Sequence, residues 1–76
     1  MQEIIECIIK NLVEDKASVS VKEVTENSEL KYEIKVNEKD MGRVIGKKGK
    51  IAQSIRTVMK AIAAKENKKV KLEFID

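Results

Sequence analysis

Histidine, proline and tryptophan are absent from this chain of 76 residues, and it has only one cysteine. A lone Cys7 cannot form an internal disulfide, which fits a protein kept in a reducing cytoplasm. The chain has no Cys/His cluster for a zinc site, and it lacks histidine, the side chain that most often serves acid–base catalysis. No apolar run approaches the ~20 residues that span a bilayer, and no signal-peptide pattern opens the chain. We therefore expect a cytoplasmic protein that is not an enzyme and has no metal site, cofactor or membrane partner.

Aromatic residues are almost absent too, with Tyr32 and Phe74 the only two. Both are in phase with the apolar sides of their predicted strands, so we expect both in the core. Proteins that stack bases on a sheet need several exposed rings, which this chain cannot supply. Three glycines and 42% hydrophobic residues predict one small folded domain over residues 1–76 and argue against a disordered segment.

Charge is distributed unevenly along the chain. Residues 1–40 contain ten acidic and six basic residues, whereas residues 41–65 contain seven lysines and arginines and no acid. Residues 66–76 are balanced, so the net charge of +3 arises from the middle segment. Such a segment is typical of a polyanion-binding surface, although a solvated lysine-rich helix face would give the same pattern.

The predicted elements begin with an amphipathic helix over residues 2–14. Apolar residues recur there at three- and four-residue spacing, at Ile4, Ile5, Ile8, Ile9, Leu12 and Val13. Cys7 flanks this stripe, where we expect a small buried hydrophobic side chain and not a reactive thiol.

Two strands are predicted next, because apolar and polar side chains alternate over residues 17–22 and again over residues 30–36. The turn chemistry of residues 26–29 between them predicts an antiparallel hairpin. Val24 is out of phase with Val21, which predicts a bulge or an early end of the first strand.

A pair of helices follows the hairpin. Asn37 is placed to cap a short helix over roughly 38–45, and Gly46 is placed to end it. Beyond Gly49, apolar residues at helical spacing predict a longer helix that reaches about Lys65.

Alternation over residues 69–75 predicts a last strand. A right-handed crossover through both helices makes this strand parallel to the one over residues 30–36. The expected fold is α+β, with an αββααβ order and a three-stranded mixed sheet whose helices pack on one face. The residues expected in the core are Ile8, Val36, Ile51, Ile55, Val58 and Leu72.

The two helices are joined by a loop with two lysines between glycines, Gly46-Lys47-Lys48-Gly49. Glycines let a ligand's backbone approach closely, without a Cβ in the way. The N-terminus of the following helix offers unpaired N–H groups and the positive end of its dipole. Together these features predict a phosphate clamp.

Other phosphate-binding loops fit the segment less well. A Walker-type loop needs four residues between its glycines and then Lys-Ser/Thr, but three residues separate Gly42 from Gly46 and Lys48 follows Lys47. The dinucleotide pattern G-x-G-x-x-G is absent, and the chain is too short for that fold.

The element order and the motif Val44-Ile45-Gly46-Lys47-Lys48-Gly49-Lys50-Ile51 resemble a KH domain of type II topology. The resemblance covers nearly the whole chain. Within the KH domains, the chain is similar to the KhpA family of small bacterial proteins with a single KH domain. The segments that carry this likeness are residues 40–50, 54–59, 61–66 and 74–76. The linker at residues 14–18 departs from the family because it lacks a proline, which affects a turn and not the site.

The resemblance implies binding of about four nucleotides of single-stranded RNA along the Gly-x-x-Gly loop, by an RNA chaperone or post-transcriptional regulator. Backbone N–H groups of the loop would contact phosphates, which position the strand without reading its sequence. Bases would cross an aliphatic groove near Ile45 and Ala52, on the helix face that also carries Lys60. The implied RNA-binding residues are Gly42, Arg43, Val44, Ile45, Gly46, Lys47, Lys48, Gly49, Lys50, Gln53 and Arg56.

A second interpretation is a protein–protein interaction module with little intrinsic RNA affinity. The apolar residues Val44 and Ile45 and the cluster of Ala61, Ala63 and Ala64 could serve such contacts. The resemblance also implies a homodimer and a heterodimer with a larger KH-containing RNA-binding protein. A homodimer that buries a patch beside the loop would compete with RNA.

Overall fold

The computed structural model describes residues 1–75, which form three α-helices and three β-strands in the predicted αββααβ order. The helices are α1 (Gln2–Leu12), α2 (Met41–Ile45) and α3 (Lys50–Lys65). The strands are β1 (Ser20–Glu26), β2 (Glu29–Lys35) and β3 (Lys69–Ile75). Within residues 1–75, no helix has the length and hydropathy that a bilayer span requires.

The sheet has the order β1-β2-β3, so β1 and β3 are its two edges. β1 and β2 are antiparallel, with Val21 opposite Ile34, and β2 and β3 are parallel. Asn27 and Ser28 make the two-residue hairpin turn with φ values of 50° and 66°, as a type I′ turn requires. The predicted hairpin and mixed sheet are confirmed.

The first strand differs from its prediction at both ends. Ala17 lies in a 3₁₀ turn (Lys16–Ser18), where the Ser18 hydroxyl donates to the Asp15 carboxylate at 2.6 Å, and the strand begins at Ser20. The predicted bulge or early end at Val24 was wrong, because the pairing continues in register through this residue, which lies opposite Lys31. Val24 simply occupies the sheet face opposite to that of Val21.

The core lies between the sheet and the helices, with α1 packed on β1 and α3 packed on β3. Of the predicted core residues, Val36, Ile55 and Leu72 are buried and Ile8 is partly buried against them. The prediction was wrong for Ile51 and Val58, which are 37% and 48% exposed. The residues by which α3 faces the core are instead Ala52, Ile55, Met59 and Ala63.

The small alanines at Ala52 and Ala63 explain this rotation of α3. They let the helix backbone approach the sheet closely, so the side of α3 that carries them, together with Ile55 and Met59, faces the core. Ile51 and Val58, seven residues apart, consequently share a flank of the helix.

In the first helix, fewer residues are buried than the predicted apolar stripe contains. Ile5, Ile9 and the following Val13 are buried, whereas Ile4 is 42% exposed. Cys7 is exposed, so the expectation of a buried cysteine was wrong. Two residues beyond Ile5, a side chain points to nearly the opposite side of an α-helix.

The two aromatic residues support the sheet from the helix side. Tyr32 is 2% exposed and lies in the core, as predicted, and its burial raises the pKa of the phenol, with Glu23 adding to the shift. Phe74 is partly buried and packs against the core cluster.

Candidate nucleic-acid interface

The turn between α2 and α3 begins at Gly46, whose conformation demands glycine. The Gly46 N–H donates to the Gly42 carbonyl at 2.9 Å and closes α2, after which the backbone turns with φ 76° and ψ 175°. This region is almost closed to other residues. A Cβ at Gly46 would also lie only 2.6–2.9 Å from three side-chain carbons of Ile51. Ile51 therefore packs directly over the loop backbone.

The loop then presents two lysines on a left-handed turn. Lys47 and Lys48 are both exposed, and Lys48 itself has φ 57°. Gly49 follows with φ 73°, and its N–H donates to the Gly46 carbonyl at 3.2 Å. This hydrogen bond makes the loop compact, so both ammonium groups project from the same short turn.

The N-terminus of α3 opens at this turn. Gly49 is its N-cap residue and offers no side chain to the first N–H groups of the helix. These groups and the dipole of a 16-residue helix favour an anion, and Lys47, Lys48 and Lys50 surround the same end. The arrangement can accept a phosphate by backbone hydrogen bonds and charge together.

A buried carboxylate fixes the other end of α2. Asp40 is 3% exposed and accepts backbone N–H groups from Glu14 at 3.2 Å and Asp15 at 3.0 Å. Asp15 in turn accepts from the Asn37 side chain at 2.9 Å, and Asn37 caps the following turn through Lys39 N–H at 2.9 Å, as predicted. These hydrogen bonds, which we call the Asp40 tether, join the α1–β1 connection to the segment that carries the loop.

The sequence alone did not predict this role of Asp40. Its partners are backbone groups 25 and 26 residues earlier in the chain. The sequence shows only an acidic residue directly before a short helix. This position does not indicate from which N–H groups its carboxylate accepts hydrogen bonds.

Two of the residues implied as RNA-binding have other partners in the structure. Arg43 lies 2.8 Å from the Glu14 carboxylate and 3.6 Å from that of Asp40, so it forms ion pairs within the chain while its side chain stays half exposed. Val44 is fully buried in the core and supports the loop from beneath, where its side chain cannot reach a ligand. Gly42 is exposed on α2, one turn before the loop.

Beyond the loop, a groove of about 520 Å³ runs between α3 and the free edge of β3. Arg56 lies along it, with its guanidinium 5.3 Å from the Phe74 ring and its Nε donating to the Leu72 carbonyl at 3.4 Å. The contact with the Phe74 ring and this hydrogen bond together fix the orientation of the planar Arg56 guanidinium. Gln53 is exposed nearer the loop on the same flank of α3. The residues that line the groove are Glu29, Arg56, Lys60, Val70, Lys71 and Leu72.

The apolar walls near the loop come from two isoleucines. Ile45 is partly buried against the core, whereas Ile51 leaves 37% of its surface exposed next to Gly46. Ala52 is only 2% exposed, so its side chain is not presented at the surface.

The family described as KhpA/KhpB, KH domain, matches residues 2–74 of the chain. The chain belongs to this KH family. Proteins named "RNA-binding protein KhpA" are similar to it over 90% or more of their length. The one from Clostridium perfringens is 52% identical over 75 residues, which cover 99% of this chain and all of the relative. The one from Listeria monocytogenes is 42% identical over 76 residues, covering all of both chains.

A more distant KhpA, from Chlamydia trachomatis, is 38% identical over 76 residues that cover all of this chain and 97% of the relative. No solved structure matches the chain significantly. The family and the KH fold predicted from the sequence are thereby confirmed.

Proposed function

We propose that this KH protein binds single-stranded RNA in the cytoplasm, with phosphates clamped at Gly46–Gly49 and bases lying in the groove between α3 and β3. The observation that carries the proposal is the loop itself, where two exposed lysines and the uncapped N-terminus of a long helix converge. The names of the relatives, which call them RNA-binding proteins, support the ligand class.

The chemistry of the site suits a ligand held mainly through its backbone. Phosphates would accept from N–H groups of the loop and the first turn of α3, while Lys47 and Lys48 supply charge. Base edges would meet Gln53 and Arg56 across the groove. Because the site offers no stack of exposed aromatic rings, we expect modest affinity, little sequence preference and strong salt dependence. These properties suit an RNA chaperone or general post-transcriptional regulator.

The proposal is tested by Lys47→Asp/Lys48→Asp, with Lys10→Asp/Lys22→Asp as a control that makes the same change in net charge. Fluorescence anisotropy with a labelled oligouridine should show binding by the wild type and the control and none by the loop variant. With three to four phosphates contacted, the wild-type log–log salt slope should be about −2 to −3, from ~0.7 per phosphate. Unchanged circular dichroism would establish that the loop variant is folded.

Equal binding by the loop variant and the wild type at low salt would disprove the clamp. Equal losses in the loop and control variants would show that only net charge matters. Either result would leave the fold assignment intact, since that depends on the core and not on the loop lysines.

Self-association is a second proposed activity, carried by exposed apolar residues on the helical side. Ile51 and Val58 share one flank of α3, and Ile4 on α1 is exposed as well, at 37%, 48% and 42%. The homodimer patch therefore includes Ile51 and Val58, and excludes the buried Val44. The same patch would serve a heterodimer with a larger KH-containing protein, in agreement with a family that groups two kinds of KH protein.

Sedimentation across protein concentrations, with and without a short RNA, tests this second proposal. Because Ile51 packs on the loop at Gly46, the dimer should occlude the clamp and dissociate when RNA binds. Val58→Asp, two turns further from the loop, should abolish the dimer and spare RNA binding. A monomer at all concentrations would disprove the dimer, and a dimer insensitive to RNA would disprove only the competition.

A further inference from the structure

Lys60, Lys68 and Lys69 lie together at the end of the α3–β3 groove that is remote from the loop, and we call them the distal lysine cluster. A depression of about 310 Å³ is lined by all three of them together with Glu29 and Val70. It shares Lys60, Glu29 and Val70 with the larger groove that contains Arg56. The two therefore form one continuous channel along α3.

The end of α3 fixes the backbone of this cluster. Asn67 adopts φ 57° and donates its N–H to the Ala64 carbonyl at 3.1 Å, while the Lys68 N–H donates to the Ala63 carbonyl at 2.9 Å. This pair of hydrogen bonds is the Schellman motif that ends many helices. Lys69 then enters β3 directly. The lysines thus extend from an ordered helix end and a strand.

The charge of the channel is strongly positive. Glu29 is the one acid among the residues that line it, against the five cations Arg56, Lys60, Lys68, Lys69 and Lys71. Over residues 1–75, no lysine of the cluster has a carboxylate within ion-pairing distance. Lys31 on the same sheet is by contrast paired with Glu73 at 2.7 Å. The cluster's charge is available to an external polyanion.

We infer that the distal lysine cluster contacts phosphates of the same RNA strand beyond the nucleotides gripped at the loop. The loop and the cluster lie at opposite ends of α3, and the ten residues from Lys50 to Lys60 rise by about 15 Å. A strand that follows the channel passes Arg56 on the way, so the protein binds a longer segment than the about four nucleotides of one clamp. The inference rests on the proposed RNA-binding function.

The test compares a short oligouridine of about four nucleotides with one of roughly twice that length. The cluster variant is Lys60→Gln/Lys68→Gln/Lys69→Gln. The control variant removes the same charge from exposed lysines on α1, the following turn and the opposite sheet edge: Lys10, Lys16 and Lys22. Binding is measured by anisotropy over a salt series, and amide chemical shifts are followed by NMR.

Wild type and control should gain affinity with the longer RNA, and the gain in the cluster variant should be about tenfold to a hundredfold smaller. Three lost phosphate contacts should also lower its salt slope on the longer RNA by about 2, from ~0.7 per contact. In the wild type, only the longer RNA should shift the amides of Lys60, Lys68 and Lys69. On the short RNA all three proteins should behave alike.

Equal behaviour of the cluster and control variants on the longer RNA would overturn the inference. So would a wild-type protein whose cluster amides do not respond to the longer strand. Failure of the proposed function would look different, because RNA would then leave the amides of the loop at Lys47 and Lys48 unshifted in every variant.

Discussion

Replacing Gly46 by alanine should damage this protein far more than replacing Gly49, although both glycines belong to the same motif. At Gly46 the φ of 76° and ψ of 175° cost an alanine about 1–3 kcal/mol. Its Cβ would add a collision with the Ile51 side chain at 2.6–2.9 Å, and overpacking of that kind costs about 1–3 kcal/mol. The sum, about 2–6 kcal/mol, is a large part of the roughly 4–11 kcal/mol expected for a domain of this size.

Gly49 provides the internal control. It has an ordinary left-handed φ of 73°, and a Cβ there would meet open space in the described structure. Alanine should therefore cost only about 1–2 kcal/mol. Urea unfolding followed by circular dichroism gives both values.

A double variant separates the collision from the backbone strain. Ile51→Ala removes two of the three crowded carbons, so Gly46→Ala should be less destabilising in that background by about 1 kcal/mol. Equal losses for Gly46→Ala and Gly49→Ala, or no coupling to Ile51, would refute the reasoning, because the loop would then have a different packing.

Three further predictions concern the core, the Asp40 tether and the pKa of Asp15. Ile55→Ala should lower the free energy of unfolding by about 2–5 kcal/mol, and Val58→Ala by under about 1 kcal/mol; equal urea midpoints would contradict the assigned face of α3. Asp40→Ala leaves two backbone N–H groups without their carboxylate, so it should lower the free energy of unfolding by about 2–4 kcal/mol. An unchanged melting curve would disprove the Asp40 tether. Ser18→Ala should raise the lowered pKa of Asp15 towards its ordinary value, as followed by NMR titration.

The lowered pKa of Asp15 determines the pH range in which its carboxylate stabilises the folded protein. Hydrogen bonds from Ser18 first and Asn37 second lower the pKa of the Asp15 carboxyl below its ordinary value of 3.8. The ionised form therefore stabilises the folded protein at pH values above that ordinary value. This contribution is lost as pH falls through the lowered pKa of the folded state.

Much of the fold could be predicted because local and long-range signals agree in this chain. Alternation in the strands, turn residues at 26–29 and the Asn37 cap each determine a local structure, and the handedness of crossovers then sets the parallel pairing. The errors arose where periodicity alone had to choose a helix face. A stripe that includes Ile51 and Val58 is as apolar as one that includes Ala52 and Ala63, and only the close approach of α3 to the sheet decides between them.

The loop could be located from the sequence, but the partners of its neighbours could not. A Gly-x-x-Gly segment determines its own conformation, since the constraint lies within four residues. Arg43 also looked like part of a basic surface, because the segment that contains it has no acid. Its partner Glu14 comes from a turn 29 residues earlier, brought there by the buried Asp40.

Counting charges along the sequence therefore could not show that Arg43 has acidic partners. It also failed to single out the distal cluster, where Lys60 meets Lys68 and Lys69 only because α3 ends and β3 begins beside it. Local counts identified the charged segment. The tertiary structure determines which of its charges have acidic partners.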